Sequence, residues 1–346
     1  MRLMDKILEK EPEVYKNKRP FFKLENKDVE KIAESLFKSI TGKIVIDKKT
    51  GYRNEKIKNA LFTHPSIGCK ENDDKNTISA TKRKNKNGTF YLYSEPEPNM
   101  ERMIKLAWNK YKKDGVCENQ FPIPDTNENK GINIDILIKR EHSIEFIELK
   151  QWSNGDNPAF AIAEVIKNLY VFIHFYKHLF VFDYEFREDF DIKEYKKLYN
   201  LDKVNKFILT VLAPTEYYSG YFKNKEIKNK ELLKENYKQF YDYLKNLVQE
   251  DLREKLNKND LEIEIRIKSF EFSREKQYDV IKDKLIKDKI EKNKKEKGTE
   301  LIKVSEKKTG EIKYTTGDID LKGYFEKEDY FSKKVCEQLV NWTDFE

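Results

Sequence analysis

The apolar positions of this chain fall into two periods. "NKFILTVLAP", Asn205 to Pro214, is a continuous apolar run of strand length, the pattern of a strand buried on both faces. "LEIEIRIKSFEF", Leu261 to Phe272, alternates instead, as a half-exposed strand does. Helical spacing appears in Val29, Ile32, Ala33, Leu36, Phe37 and Ile40, with Asn26 as a capping residue and Gly42 as a stop. It returns in Met100, Ile104, Ala107, Trp108 and Tyr111, preceded by the start signals Ser94, Glu97 and Pro98 and ended by Asp114-Gly115. A third helix begins at Asn157-Pro158 and runs to about His178, apolar nearly all round. A fourth covers Lys230 to Leu256 through Leu233, Tyr237, Phe240, Tyr241, Leu244 and Val248. "KIVID", Lys43 to Asp47, reads as a short strand, Val116 to Pro124 as the first strand of a core, and Leu301 to Phe325 as a hairpin before a helical end.

The most informative stretch is "GINIDILIKREHSIEFIELKQW", Gly131 to Trp152, two strands around a polar turn at Lys139 to Ser143. With that turn, residues whose numbers sum to about 283 lie opposite one another in an antiparallel pair, which sets Asp135 across from Glu148. Directly opposed side chains are about 5 Å apart at Cβ, where two carboxylates repel unless a cation or a proton stands between them. Strand alternation then directs Lys150 to the same face as Glu148. The order helix, strand, strand, helix, strand across residues 97–213 predicts an α/β or α+β fold, with a mixed central sheet flanked by helices.

The boundaries that follow are a helical section over residues 1–65, a polar basic loop over 66–90 ending in "TKRKNKNG", an α/β core over 91–272, and a C-terminal helix and hairpin region over 273–346. Composition narrows the classes. The 346 residues are 38% charged, 38% hydrophobic and 13% aromatic, a globular composition with a highly charged surface. Net charge is +7 from 69 cations and 62 anions, which permits a polyanionic partner without requiring one. Cys69, Cys117 and Cys336 lack paired-ligand spacing, which speaks against a disulfide framework or a zinc site and for the cytoplasm. The start of the chain is too charged for a signal peptide, and "LYVFIHFYKHLFVF" is too short and too interrupted to cross a bilayer. There is no phosphate-binding glycine loop, and His64, His142, His174 and His178 form no metal motif.

Hard carboxylate oxygens paired in this way suit Mg²⁺ or Mn²⁺, which leaves its remaining positions to water and to substrate phosphate. Phosphodiester hydrolysis uses that arrangement, with Lys150 placed to stabilise charge on phosphorus oxygens. The competing reading is a cross-strand salt bridge. Glu-x-Lys also occurs at Glu194/Lys196, Glu226/Lys228 and Glu311/Lys313; the copy at Glu148 differs in ending an apolar strand beside a second strand that carries Asp135. Asp318, Asp320 and Lys322 form a weaker rival without a second carboxylate strand.

Together, Asp135 and Glu148-Leu149-Lys150, between a helix bearing Glu101 and a following helix, resemble the PD-(D/E)XK nuclease superfamily over residues 97–213. Ile134 stands at the position of the name-giving proline, and the Gln-x-x-x-Tyr of an exonuclease-like branch is absent. The resemblance implies a restriction-endonuclease-like core of order α-β-β-β-α-β and a Mg²⁺-dependent endonuclease acting on DNA rather than RNA, in restriction or anti-phage defence. It further implies that Asp135, Glu148 and the Leu149 carbonyl hold the metal. Lys150 would orient the attacking water, Glu101 would reach the metal through water, and Gln151 would bond substrate or metal-bound water. Cutting both strands needs two sites, hence a homodimer. Glu164 and Lys167, polar residues on the third helix, carry a structural and a functional reading of equal weight, with Lys167 the better candidate for a phosphate contact. The alternatives are an inactive nuclease-like nucleic-acid-binding or scaffolding protein, and a purely structural interaction protein.

Overall fold

The computed structural model describes residues 29–43, 77–78, 80–84, 90–94, 96–123, 132–150, 158–181, 200–222, 230–271, 319–320 and 333–344. The chain divides into two compact units. The first comprises Met1–Lys70, Asp114–Ser269 and Thr343–Glu346; the second comprises Glu71–Lys113 and Phe270–Trp342.

The first unit is mixed α/β. Its strands are β4 (Val116–Ile123), β5 (Ile132–Lys139), β6 (Ser143–Leu149), β7 (Lys206–Pro214), β8 (Glu262–Phe270, whose last residue falls in the other unit) and β10 (Thr343–Asp344). They form one six-stranded sheet in the order β10-β8-β7-β6-β5-β4. Strands β4, β5 and β6 are an antiparallel meander, and β7 returns parallel to β6. The continuous apolar runs belong to the central strands. Every residue of β6 and β7 after the first is buried, because both faces of the sheet are covered there. β8, nearer the edge, alternates and stays half-exposed over most of its length.

The parallel step from β6 to β7 needs a crossover, and α3 (Pro158–Val181) lies between them in the chain. Phe172 of α3 packs edge-on against Phe146 of β6, with ring centroids 5.2 Å apart. Helices α1 (Val29–Lys43) and α5 (Lys230–Leu256) close the same core, through Ala33, Leu36 and Ile40 on one and Phe240, Leu244, Val248 and Leu252 on the other. Tyr243 of α5 donates to Glu34 of α1 at 2.9 Å, and Tyr170 of α3 donates to Asp251 of α5 at 2.6 Å. The short α4 (Thr215–Phe222) sets the Tyr218 hydroxyl 3.1 Å from the carbonyls of Val211 and Lys268, joining β7 to β8. No helix among the described residues is long and apolar enough to cross a membrane.

The second unit contains β1 (Thr77–Ile78), β2 (Ala80–Lys84), β3 (Phe90–Ser94), α2 (Pro96–Ala107), β9 (Ile319–Asp320) and α6 (Lys333–Val340). Helix α2 widens into a π-turn at Trp108–Lys112. It ends where Lys113 turns left-handed at φ 52° and donates its N–H to the Trp108 carbonyl at 2.9 Å. Trp108 stacks on Trp342 at 4.8 Å, and α6 packs along α2.

Several sequence expectations are corrected. Residues 66–90 are not wholly a loop: Ala80–Lys84 pairs antiparallel with Phe90–Ser94, because the aromatic "FYLYS" strand gives the basic segment a partner. Ile319–Asp320 pairs with Thr77–Ile78 and not within a local hairpin. Lys43 ends a helix rather than opening a strand, and residues 44–47 lie outside the described ones. Tyr111 is half-exposed, not part of a buried stripe, and the C-terminal β10 was not foreseen.

Candidate functional site

The hairpin holds the expected register. The pairs Ile136–Ile147, Leu137–Phe146, Ile138–Glu145 and Lys139–Ile144 are opposed, and the Arg140 N–H closes the turn on the Ser143 carbonyl at 2.9 Å. One step further the backbone ladder gives way to a side chain: the Asp135 carboxylate accepts the Leu149 N–H at 2.8 Å. The register therefore brings Asp135 beside Glu148.

Two glutamates are buried on β6, and their surroundings differ. Glu145 accepts from the Thr210 hydroxyl at 2.7 Å and lies 3.0 Å from the Arg140 guanidinium, an anion with its countercharge in place. Glu148 sits among other acids. Lys150, only 4% exposed, donates to Glu148 Oε1 at 2.9 Å and to Glu164 Oε2 at 2.7 Å. Its ammonium also stands 5.9 Å from the centre of the Phe160 ring. Two carboxyls, Glu148 and Glu164, thus share the Lys150 ammonium, Asp135 acts on Glu148 through its charge, and Lys167, buried nearby, acts on Glu164.

The electrostatics follow from that imbalance. Burial, then the neighbouring charges of Asp135 and Glu164, push the Glu148 carboxyl well above the usual carboxylate range, and Lys150 pulls the other way without compensating. For Glu164, burial again opposes ionisation, but Lys150 and Lys167 outweigh it and hold the carboxyl below its ordinary value. The two shifts run in opposite directions, Glu148 upward and Glu164 downward. Opposed shifts in two touching carboxyls, one on a strand and one on a helix, are a frequent signature of a functional site.

Asn168, one helical turn beyond Glu164, points its Nδ2 at Glu148 Oε2 across 3.5 Å and is 2% exposed. Sequence reasoning missed this residue and left Glu164 between a structural and a functional reading. The available signal was the polar trio Glu164, Lys167 and Asn168, spaced i, i+3, i+4 on an otherwise apolar helix.

Of the remaining residues singled out in the sequence, Leu149 is fully buried, with its N–H committed to Asp135. Glu101 belongs to the second unit. It is fully buried, at 0% exposure. Gln151 lies outside the described residues, as do Asp318 and Lys322 of the rival motif; Asp320 pairs in β9.

Asp135 and Glu148 offer the hard oxygen donors that Mg²⁺ or Mn²⁺ prefers. Among the described residues no group of three or more His, Cys, Asp or Glu side chains is spaced to hold a metal ion. A cation here would rest on two carboxylates and take its other ligands from neutral oxygens, water or substrate, which suits Mg²⁺. Compared with known proteins, the chain matches no family model, no curated protein and no solved structure.

Proposed function

We propose that the chain is a metal-dependent nuclease of the PD-(D/E)XK type, an endonuclease hydrolysing phosphodiester bonds in DNA. The observation that carries this reading is the register of β5 against β6, which sets Asp135 beside Glu148 with Lys150 next on the same strand end. The chain order supports it: helix α2, the meander β4-β5-β6, crossover helix α3 and parallel strand β7 follow the α-β-β-β-α-β order of a restriction-endonuclease-like core.

In this reading Asp135 and Glu148 hold Mg²⁺ or Mn²⁺. The bound ion supplies charge neutralisation at the scissile phosphate and a more acidic water. The chain's own residues do the rest. Lys150, held between two carboxylates, exchanges one of those contacts for a phosphorus oxygen or the attacking water and stabilises developing negative charge. Glu164 fixes the ammonium in place, so that the donor is aimed before substrate arrives. The apolar wall, Phe146 on the same face of β6 as Glu148 and Phe160 of α3 at 5.9 Å from the Lys150 ammonium, keeps the surroundings low in dielectric and strengthens each of these interactions. Duplex cleavage would bring two copies together, and restriction or anti-phage defence is the setting the family resemblance suggests.

The test is a cleavage assay on supercoiled plasmid, linear duplex, single strand and RNA, with and without added Mg²⁺ or Mn²⁺. Plasmid nicking that requires the metal, and falls at least about 100-fold in Lys150→Ala and Asp135→Asn, is the expected result. Binding without cutting would favour an inactive nuclease-like scaffold. Full cleavage by Lys150→Ala would overturn the mechanism.

A further inference from the structure

We propose that Asn168 of α3 belongs to the cation site, its side-chain carbonyl Oδ1 serving as a third, neutral oxygen donor beside Asp135 and Glu148; the inference rests on the site described under Proposed function.

The argument starts from the burial of a polar group. Asn168 is 98% buried, and an amide taken out of water costs free energy unless both of its ends find partners. Its Nδ2 end has one, Glu148 Oε2 at 3.5 Å, which brings the amide to the acid cluster; a half-turn about χ2 on cation binding would set Oδ1 there in its place. Its Oδ1 end receives no hydrogen bond among the described residues. Apolar neighbours on the same helix, Val165, Ile166, Leu169 and Phe172, show that an aliphatic residue would be accommodated there, so the amide is not explained by packing.

Hydrogen-bond chemistry alone predicts a donor at that spot, yet the cluster holds an excess of acceptors. A divalent cation resolves both conditions, because it binds carbonyl oxygen as readily as carboxylate oxygen. A neutral third donor also fits the charge count. Asp135, Glu148 and Glu164 already bring three carboxyls to this end of β6 and α3, and another at position 168 would add to their repulsion. Helix spacing supplies the geometry: Glu164 and Asn168 lie four residues apart on one face, so that the turn that anchors Lys150 also delivers the amide to Glu148.

The experiment titrates Mn²⁺ into the full-length protein without substrate. Free ion is followed by electron paramagnetic resonance, and the water bound to the ion by proton relaxation. Asn168→Leu is expected to weaken Mn²⁺ binding about tenfold or more, and the ion that still binds should carry an additional water. Asn168→Asp, close to isosteric, restores an oxygen and is expected to bind the ion more tightly than the parent chain. Unchanged affinity and hydration in a folded Asn168→Leu variant would overturn the inference. Should that variant fail to fold, Asn168→Asp binding no more tightly than the parent would do the same. Binding that depends on Asp135 and Glu148 but not on Asn168 would refute this inference alone, whereas a parent chain that binds no Mn²⁺ would refute the metal reading with it.

Discussion

Replacing Lys150 with methionine keeps the length of the side chain and removes its charge, and the structure fixes what that should cost. The ammonium is 4% exposed and makes two charge-assisted hydrogen bonds, at 2.9 Å to Glu148 and 2.7 Å to Glu164. Each such bond contributes about 1.5–3 kcal/mol, and removing one partner of a buried ion pair typically costs about 3–5 kcal/mol because the other charge is left without compensation. The carboxyls can escape part of that cost by taking up protons, so the penalty must depend on pH. Glu164 has a depressed pKa in the parent chain, so its ionisation stabilises the fold above its unfolded value of 4.5, and that stability is lost as pH falls through the folded pKa. Without Lys150, burial and Glu148 remain, and Glu164 moves toward a raised pKa, which destabilises the fold as pH rises above the same unfolded value. The two effects act in the same direction. Urea denaturation of both chains should therefore give a difference of about 3–5 kcal/mol at pH 8, smaller at pH 4.5, where the part from the raised pKa in the variant is gone, and smaller again below it as Glu164 takes up its proton in the parent chain. A difference that is the same at both pH values, or below about 1 kcal/mol at pH 8, would refute the claim that this ammonium is held by ionised carboxyls in a low-dielectric site.

Two further substitutions test the frame that carries the hairpin. Glu264 on β8 bonds Arg266 at 2.5 and 2.9 Å and lies 2.8 Å from Lys206; burial opposes its ionisation, but these cations bring its pKa down to about 2. The full shift corresponds to about 3 kcal/mol, and solvent screening of a side chain one-third exposed reduces it to about 1 kcal/mol. Glu264→Gln should cost about that much at pH 7 by denaturant titration, and the penalty should fade as pH drops from 4.5 toward 2, where the parent chain loses the same charge. Gly115, at φ +85° between α2 and β4, has the Lys139 carbonyl oxygen and the Arg140 side chain where a Cβ would stand. Gly115→Ala should lower stability by about 2–4 kcal/mol, from left-handed backbone strain plus displacement of the strand end, read as a fall in melting temperature; a fall no larger than that of an exposed Gly42→Ala would contradict it.

How much was legible in the sequence depends on whether the determining physics is local. The register of β5 and β6 was readable because turn length and strand alternation fix it within twenty residues, and Ile136–Ile147 through Lys139–Ile144 pair as the sum of 283 requires. Helix α5 coincides with its expected limits, Lys230 and Leu256, because its apolar spacing is regular over seven turns. The short strands were not readable: Ile319 and Thr77 are some 240 residues apart, and two-residue pairings leave no periodic trace. The same distinction explains why the sequence left Glu164 open. A glutamate on a buried helix has no role of its own, and its meaning comes from Lys150 reaching it from another element at 2.7 Å. Glu145 shows why that partner matters. It is as deeply buried as Glu148 and only three residues away, yet the Arg140 guanidinium stands 3.0 Å from it and the Thr210 hydroxyl donates to it, the surroundings of a structural anion. A strand pattern alone gives the two glutamates equal standing. What separates them is the balance of charge that the rest of the fold delivers: Arg140 stands against Glu145, whereas burial together with Asp135 and Glu164 outweighs Lys150 at Glu148 and pushes that carboxyl upward, the imbalance that marks it for a functional reading.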